Sequence, residues 1–226
     1  MYREVLRIAR LFLGLFLYGA GVVLTIHANL GYSPWDVFHA GLGRHTGLSI
    51  GAANIVLSVA IVVAFLVMKE HVGFGTLCNM IAVGGVIDLL TRWGRIPVME
   101  GFMSGVVMMF GGLFVIAAGS FFYIGAGYGS GPRDSLMVIM AKRTGKPVGF
   151  CRCCVEGTVL FLGWLLGGYA GIGTVLAALG VGLAVQTVFT LLRFDVGKVH
   201  QEPLRETWAR FIAGCTITRE NKRPKT

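Results

Sequence analysis

Residues 31–36 read GYSPWD, and 98 positions further on residues 129–134 read GSGPRD. Each stretch follows a long apolar segment, and Gly, Pro and Asp hold the same three places in both. The order predicts a helix start: Ser33 as N-cap, Pro34 as first helical residue and Asp36 at the third position, where its carboxylate would meet free backbone N–H groups. In the second stretch Gly131, Pro132 and Asp134 take the same register. Gly47 and Gly145 then stop the two helices as C′ glycines. Each helix is therefore about 12 residues and near 18 Å long, too short for a ~30 Å hydrocarbon core. Such a helix either lies in the interface or dips into the membrane with its N-terminus aimed at a solute. LMVIMA (136–141) is apolar on every side, which favours burial.

The surroundings are those of a membrane protein. Charged residues make up 14 % of the chain and apolar residues 55 %, whereas soluble domains carry about a quarter charged residues. Residues 11–35, 45–68, 101–132 and 157–192 contain no Asp, Glu, Lys or Arg. The net charge of +9 is concentrated at the ends, with eight Lys/Arg from Arg193 onward and three in MYREVLRIAR. Basic flanks around apolar spans follow the positive-inside rule, so the partner expected is lipid, with no nucleic acid. LFLGLFLYGAGVVLTI is too long for the apolar core of a signal peptide and has an internal counterpart, so it reads as structure.

Sliding the chain by 98 residues aligns LGLFLYGAG (13–21) with GGLFVIAAG (111–119), Thr46-Gly47 with Thr144-Gly145, and GFGT (73–76) with GIGT (171–174). Without gaps, 18 positions between 14 and 84 are identical to their counterparts. The expected fold is an all-α membrane bundle of two repeats. Each has three spans (9–29, 50–68 and 72–91; 105–127, 148–166 and 172–193) and one short half-helix. The divisions are a basic cytoplasmic N-terminus (1–10), repeat one (11–91), a linker (92–104), repeat two (105–193) and a basic cytoplasmic tail (194–226). Three spans per repeat invert the second copy. The basic charges agree: residues 30–49 hold one Lys/Arg, Arg44, while 128–147 hold four, Arg133, Lys142, Arg143 and Lys146. If the short helices cross instead, there are eight spans and parallel repeats.

Ionisable groups at membrane depth mark candidate sites. Asp36 and Asp134 lead, with Gly31, Ser33, Pro34, Gly129, Gly131, Pro132 and Arg133 around them, as ligands for a solute or ion. Asp88, its counterpart Gln186, and Glu156 are secondary. Asp88 is expected to pair with Arg92 one turn away, and Glu156 with Arg152. His27 and His39 face Gly125 and Met137 in the alignment, so both read as structural. CRCC (151–154) lacks a second cysteine cluster, so no metal is expected. Gly14, Gly21, Gly112, Gly119, Gly163 and Gly167 are spaced for close helix packing. No GxxxxGK[ST], HExxH or GxSxG motif occurs, and neither catalytic residues nor a cofactor are expected.

GYSPWDVFHAGL, HTGLSIG, the apolar span after it and the GFGT loop together resemble the YitT/YczE-type bacterial integral membrane proteins, as does GSGPRDSLMVIMAKRTGKPVG. The resemblance spans most of residues 10–193 and implies a multi-pass protein of the bacterial cytoplasmic membrane with both termini inside. It implies no substrate. The 33 residues after the last span are too few for the soluble C-terminal domain that some YitT relatives carry. The function expected is a small-solute secondary transporter binding its solute between the repeats. The alternative is a non-transporting assembly, scaffold or regulatory protein, with a homo-oligomer left open in either case.

Overall fold

The computed structural model describes residues 2–70, 72–195, 199, 201, 202, 204 and 208. Eight helices are laid out in full among these: α1 (Tyr2–His27), α2 (Pro34–Thr46), α3 (Ile50–Val67), α4 (Phe74–Trp93), α5 (Phe102–Gly125), α6 (Pro132–Thr144), α7 (Val148–Leu165) and α8 (Ile172–Leu191). The bounds of α2, α3 and α4 recur in α6, α7 and α8 at an offset of 98. Five helices, α1, α3, α4, α5 and α8, are long and apolar enough to cross a membrane. The 18-residue α7 is not in that set and carries Arg152 and Glu156 within it. At 13 residues each, α2 and α6 are about 20 Å long, short of a full crossing.

Local chemistry sets these bounds. Pro34 and Pro132 open the short helices, with Ser33 and Gly131 extended at the N-cap. Gly47 and Gly145 close them at φ 73° and 66°, each donating its N–H back to a carbonyl of the last turn. Ser49 caps α3 by accepting the Ala52 N–H at 3.2 Å.

The centre of the bundle is the antiparallel crossing of α1 and α5, and bare backbone makes it possible. A Cβ added at Gly14 would lie 2.8 Å from the Gly119 carbonyl oxygen, and one at Gly119 would lie 2.8 Å from that of Gly14. One helical stretch on, Gly21 and Gly112 meet in the same way, at 2.8 and 2.9 Å. Leu11, Leu15, Val23, Met109, Leu113 and Ala117 fill the space around this seam. The outward surface is apolar too: Leu66, Val67, Leu89, Met103, Leu179 and Leu191 are all exposed, as lipid-facing side chains are.

The loops before the short helices cross between halves. Gly173 donates its N–H to the Leu30 carbonyl at 2.7 Å, and Gly75 donates to that of Tyr128 at 2.6 Å. Gly31 and Gly129, at φ 116° and 110°, press against Gly171 and Gly73. Residues 94–101 between α4 and α5 are fastened to the end of α1: His27 Nδ1 lies 2.9 Å from the Ile96 carbonyl, and Met99 N–H donates to that of His27 at 2.8 Å. His27 is thus a structural residue, as its sequence context suggests.

The halves are not packed alike. α3 runs along α4, with Gly51 against the Gly84 carbonyl. Their counterparts α7 and α8 make almost no contact, and Gly149 and Gly182 face open space. In exchange α2 lies hard against α7, where Gly163 meets the Phe38 backbone, while α6 touches α3 only loosely. Gly167 differs from the other glycines picked out for packing. It sits at φ 76° in the turn after α7, and Arg44 donates to its carbonyl at 2.5 Å.

The seam gives a direct test. Gly119→Val should lower detergent-solubilised stability by about 1–3 kcal/mol or prevent folding, since the methyls meet backbone that cannot yield. Gly111→Val, on the same helix with nothing within 4 Å, should leave the thermal midpoint unchanged.

Candidate functional site

The N-termini of α2 and α6 converge inside the bundle, and Arg133 joins them. Its guanidinium stacks over the Trp35 ring at 5.0 Å, and its Nη2 bonds the Asn54 side-chain oxygen and lies 3.3 Å from His39 Nε2. An arginine can only donate. His39 Nε2 must therefore accept, which leaves the ring proton on Nδ1, 3.3 Å from Asp36 Oδ1. His39 is fully buried and Asp36 is 2 % exposed. The other Asp36 oxygen takes the Ser33 hydroxyl at 2.5 Å. The cap thus differs from the sequence expectation. Ser33 donates to Asp36 and makes no side-chain cap bond to the helix backbone.

Asp134 is placed differently from its counterpart. Its carboxylate accepts the Tyr123 hydroxyl at 2.6 Å, and Tyr123 meets Tyr18 edge-on at 6.0 Å. Half-buried, Asp134 lines a cavity of about 550 Å³ with Ser130, Ser135, Lys142 and Arg152. The cavity runs from Tyr18 in the middle of the bundle to Glu70, Gln201 and Glu202 at the end where α1 begins. A narrower cleft of about 60 Å³ lies beside Asp36, and Tyr18 and Arg152 line both spaces. The two aspartates therefore flank a shared pair of side chains. Arg152 is held by Glu156 at 2.9 Å, the local pair expected from their spacing. Gly129 donates its N–H to Gln201 Oε1 at 3.0 Å, Gly131 packs on the Asn79 side chain, and Pro34 and Pro132 are buried.

A family model described as a family of unknown function, DUF6198, matches residues 5–190. The chain belongs to that family. It is 37 % identical over 185 residues to a Bacillus subtilis (strain 168) protein described as "Uncharacterized membrane protein YczE", covering 80 % of this chain and 85 % of that one. An uncharacterized protein of Haemophilus influenzae is 31 % identical, with 82 % and 84 % covered. The uncharacterized protein YyaS of Bacillus subtilis is 28 % identical over 166 residues, with 73 % and 83 % covered. No solved structure matches. The YczE side of the sequence resemblance is thereby supported. A DUF6198 protein with five helices apolar enough to span is a membrane protein.

The secondary candidates separate. Among the described residues Asp88 forms no ion pair with Arg92. Its carboxylate instead accepts the Ser49 hydroxyl at 2.5 Å and the Gly51 N–H at 3.0 Å, clamping the start of α3 to α4. The N-terminal dipole of α3 and two donors offer it more than one exposed arginine on its own helix. Gln186, its counterpart, lines the gap beside α7. In CRCC, Cys151 is buried next to Thr144 while Cys153 and Cys154 are exposed. His39, Asn54 and Tyr123 are the site residues that sequence reasoning passed over. Only His39 left a signal, its spacing of three from Asp36 on one helix face.

Asp88→Ala should cost about 0.5–2 kcal/mol, the range for a lost helix cap. Arg92→Ala should stay within about 0.5 kcal/mol of the parent. Thermal unfolding of both in the same detergent would separate the two pairings.

Proposed function

We propose that this protein is a small-solute permease whose structure stands open at one end. One observation carries the reading. Equivalent helix pairs adopt opposite arrangements, α3 closed on α4 and α7 parted from α8, and the solute-sized cavity beside Asp134 lies on the parted side. The duplication belongs to this reading. Supporting it are the shared helix bounds, the mutual contacts of Gly14 with Gly119 and Gly21 with Gly112, and the paired Leu30–Gly173 and Tyr128–Gly75 bonds. α1 and α5 run antiparallel, as inverted copies would. α7 is then the sixth span, its Arg152 lining the cavity and paired with Glu156, which lines the cleft beside Asp36.

Alternating access would exchange the two arrangements. Gly149 and Gly182, counterparts of Gly51 and Gly84, keep small surfaces that would meet when α7 closes on α8, while α3 opens from α4. At the opposite end Arg44 bonds the Gly167 carbonyl and Tyr32 meets Tyr169 edge-on at 5.5 Å, contacts beside an outer space of about 520 Å³ that would part for a solute to leave there. The basic termini support a cytoplasmic open end. Asp134 and Arg152 at the head of the cavity offer one anionic and one cationic contact to a solute.

Two experiments test this. In a cysteine-free background, Arg44→Cys should react with an impermeant maleimide only from outside cells and Lys142→Cys only from inside; labelling of both from inside removes the inverted topology. In proteoliposomes, a panel of amino acids, carboxylates, amines and alkali cations should yield at least one solute that moves. Asp134→Asn and Gly149→Leu should each slow that flux at least tenfold without lowering the thermal midpoint. If nothing moves and Asp134→Asn only destabilises, the scaffold reading replaces transport.

A further inference from the structure

Buried charge needs a reason in a membrane protein, and one buried group has so far been given none. His39 has no counterpart in the second half, where Met137 takes its place. It is fully buried, it is held by a partner on each ring nitrogen, and those partners lie on different short helices. We propose that His39 Nε2 is a proton-binding site, occupied either by the Arg133 guanidinium or by a proton and never by both. Its role as the coupling site rests on the permease reading above.

The chemistry follows from the lone pair. In the present state Nε2 accepts from Arg133, and Nδ1–H faces Asp36. A proton arriving from water adds to the same lone pair and gives an imidazolium. The Arg133–His39 hydrogen bond then breaks and is replaced by repulsion between two cations, while Nδ1–H now binds Asp36 as an ion pair. Arg133 keeps Asn54 or leaves toward Asp134, which follows it directly on α6. Protonation thus uncouples the N-terminus of α6 from that of α2, and deprotonation rejoins them.

The groups around this centre come from five helices, with Tyr18 of α1 lining the cleft at Asp36. Asp36 is on α2, Arg133 on α6 and Asn54 on α3, and Arg152 and Glu156 of α7 line the cleft beside Asp36. Asp36 and Glu156 favour the imidazolium; Arg133 and Arg152 oppose it. Of these only Arg133 shares the Nε2 lone pair, so its position decides the outcome. The nearest open space is the cleft that reaches Asp36. Tyr18 and Trp35 line the cleft at Asp36, and Tyr18 also reaches the large cavity. The Trp35 indole N–H is buried with no partner among the described residues, so a polar visitor to this cleft has a donor waiting.

Trp35 also supplies the readout, because Arg133 stacks on its ring. A full chain retaining Trp35 but with Trp93, Trp164 and Trp208 changed to Phe would be purified in detergent and titrated from pH 8 to 3 by indole emission. A one-proton transition is expected. It should vanish in His39→Gln, which can still occupy both partners. In Arg133→Gln it should move to higher pH by about one unit or more, because the opposing cation is gone. No transition in the parent, or an unchanged one in His39→Gln, overturns the proposal. So does an unshifted midpoint in Arg133→Gln. Size-exclusion profiles establish that each variant is folded, and the two substitutions report on opposite sides of the same bond. The titration needs no solute. Transport with no titration would sink the proton site alone, and titration with no solute moving would sink the permease reading alone.

Discussion

Backbone-to-backbone contact between α1 and α5 is the constraint on which the rest of the structure depends. Inside a membrane, apolar side chains gain little by leaving lipid for protein, so helix association relies on close packing and hydrogen bonds. Gly14, Gly21, Gly112 and Gly119 remove the side chains at the points of contact, and each carbonyl lies where the other helix would carry a Cβ. The crossing is reciprocal, so it fixes angle and register together. α4 then packs on α1 and α8 on α5, which sets the starts of α4 and α8 beside the two loops that lead into the short helices. Those loops can lie so deep because each finds a backbone donor on the opposite half.

Half-helices bring a second constraint, since they end inside the bundle where unmatched polar groups are costly. Each is met with a different set of side chains. At α2 the sequence supplies Ser33, Asp36 and His39 in successive turns, a chain of donors and acceptors closed by Arg133 from across the interface. At α6 the carboxylate of Asp134 takes a phenol from the core helix α5. The result is one dry end and one wet end: Asp36 buried in a network, Asp134 bordering a cavity.

Most of the architecture was legible in the sequence, and the reason is local. Helix ends written in Pro, Gly and Ser depend on one or two residues, so 34–46 and 132–144 could be placed to within a residue from GYSPWD, GSGPRD and the glycines at 47 and 145. The glycine seam was visible as spacing. Asp88 shows the limit. Arg92 is its neighbour on the same helix, but the partner it takes is the end of α3, brought there by tertiary packing. His39 was hidden for a related reason. Its meaning depends on Arg133, 94 residues away, and the alignment that singled out the aspartates set aside anything that did not repeat. The parting of α7 from α8 is not written in the glycines, because Gly149 and Gly182 are the same residues that pack tightly at 51 and 84.

The positions where the halves depart from one another are also where they pack differently. Ser49 and Asp88, which clamp α3 to α4, are answered by Pro147 and Gln186, which leave α7 without a clamp. Trp35 and Asn54 are answered by Arg133 and Arg152, so the arginines stand on α6 and α7, the helices that border the cavity. In the permease proposed above, two identical halves would make the two end-open arrangements equal in energy, and any preference would come from such departures. A carboxylate cap present on one side and absent on the other contributes about 0.5–2 kcal/mol, a bias of roughly 2- to 30-fold in population. That is enough to set a resting state and small enough for a bound solute, or one proton, to reverse it. On the permease reading, the sequence differences between the halves are therefore of the size a two-state carrier needs.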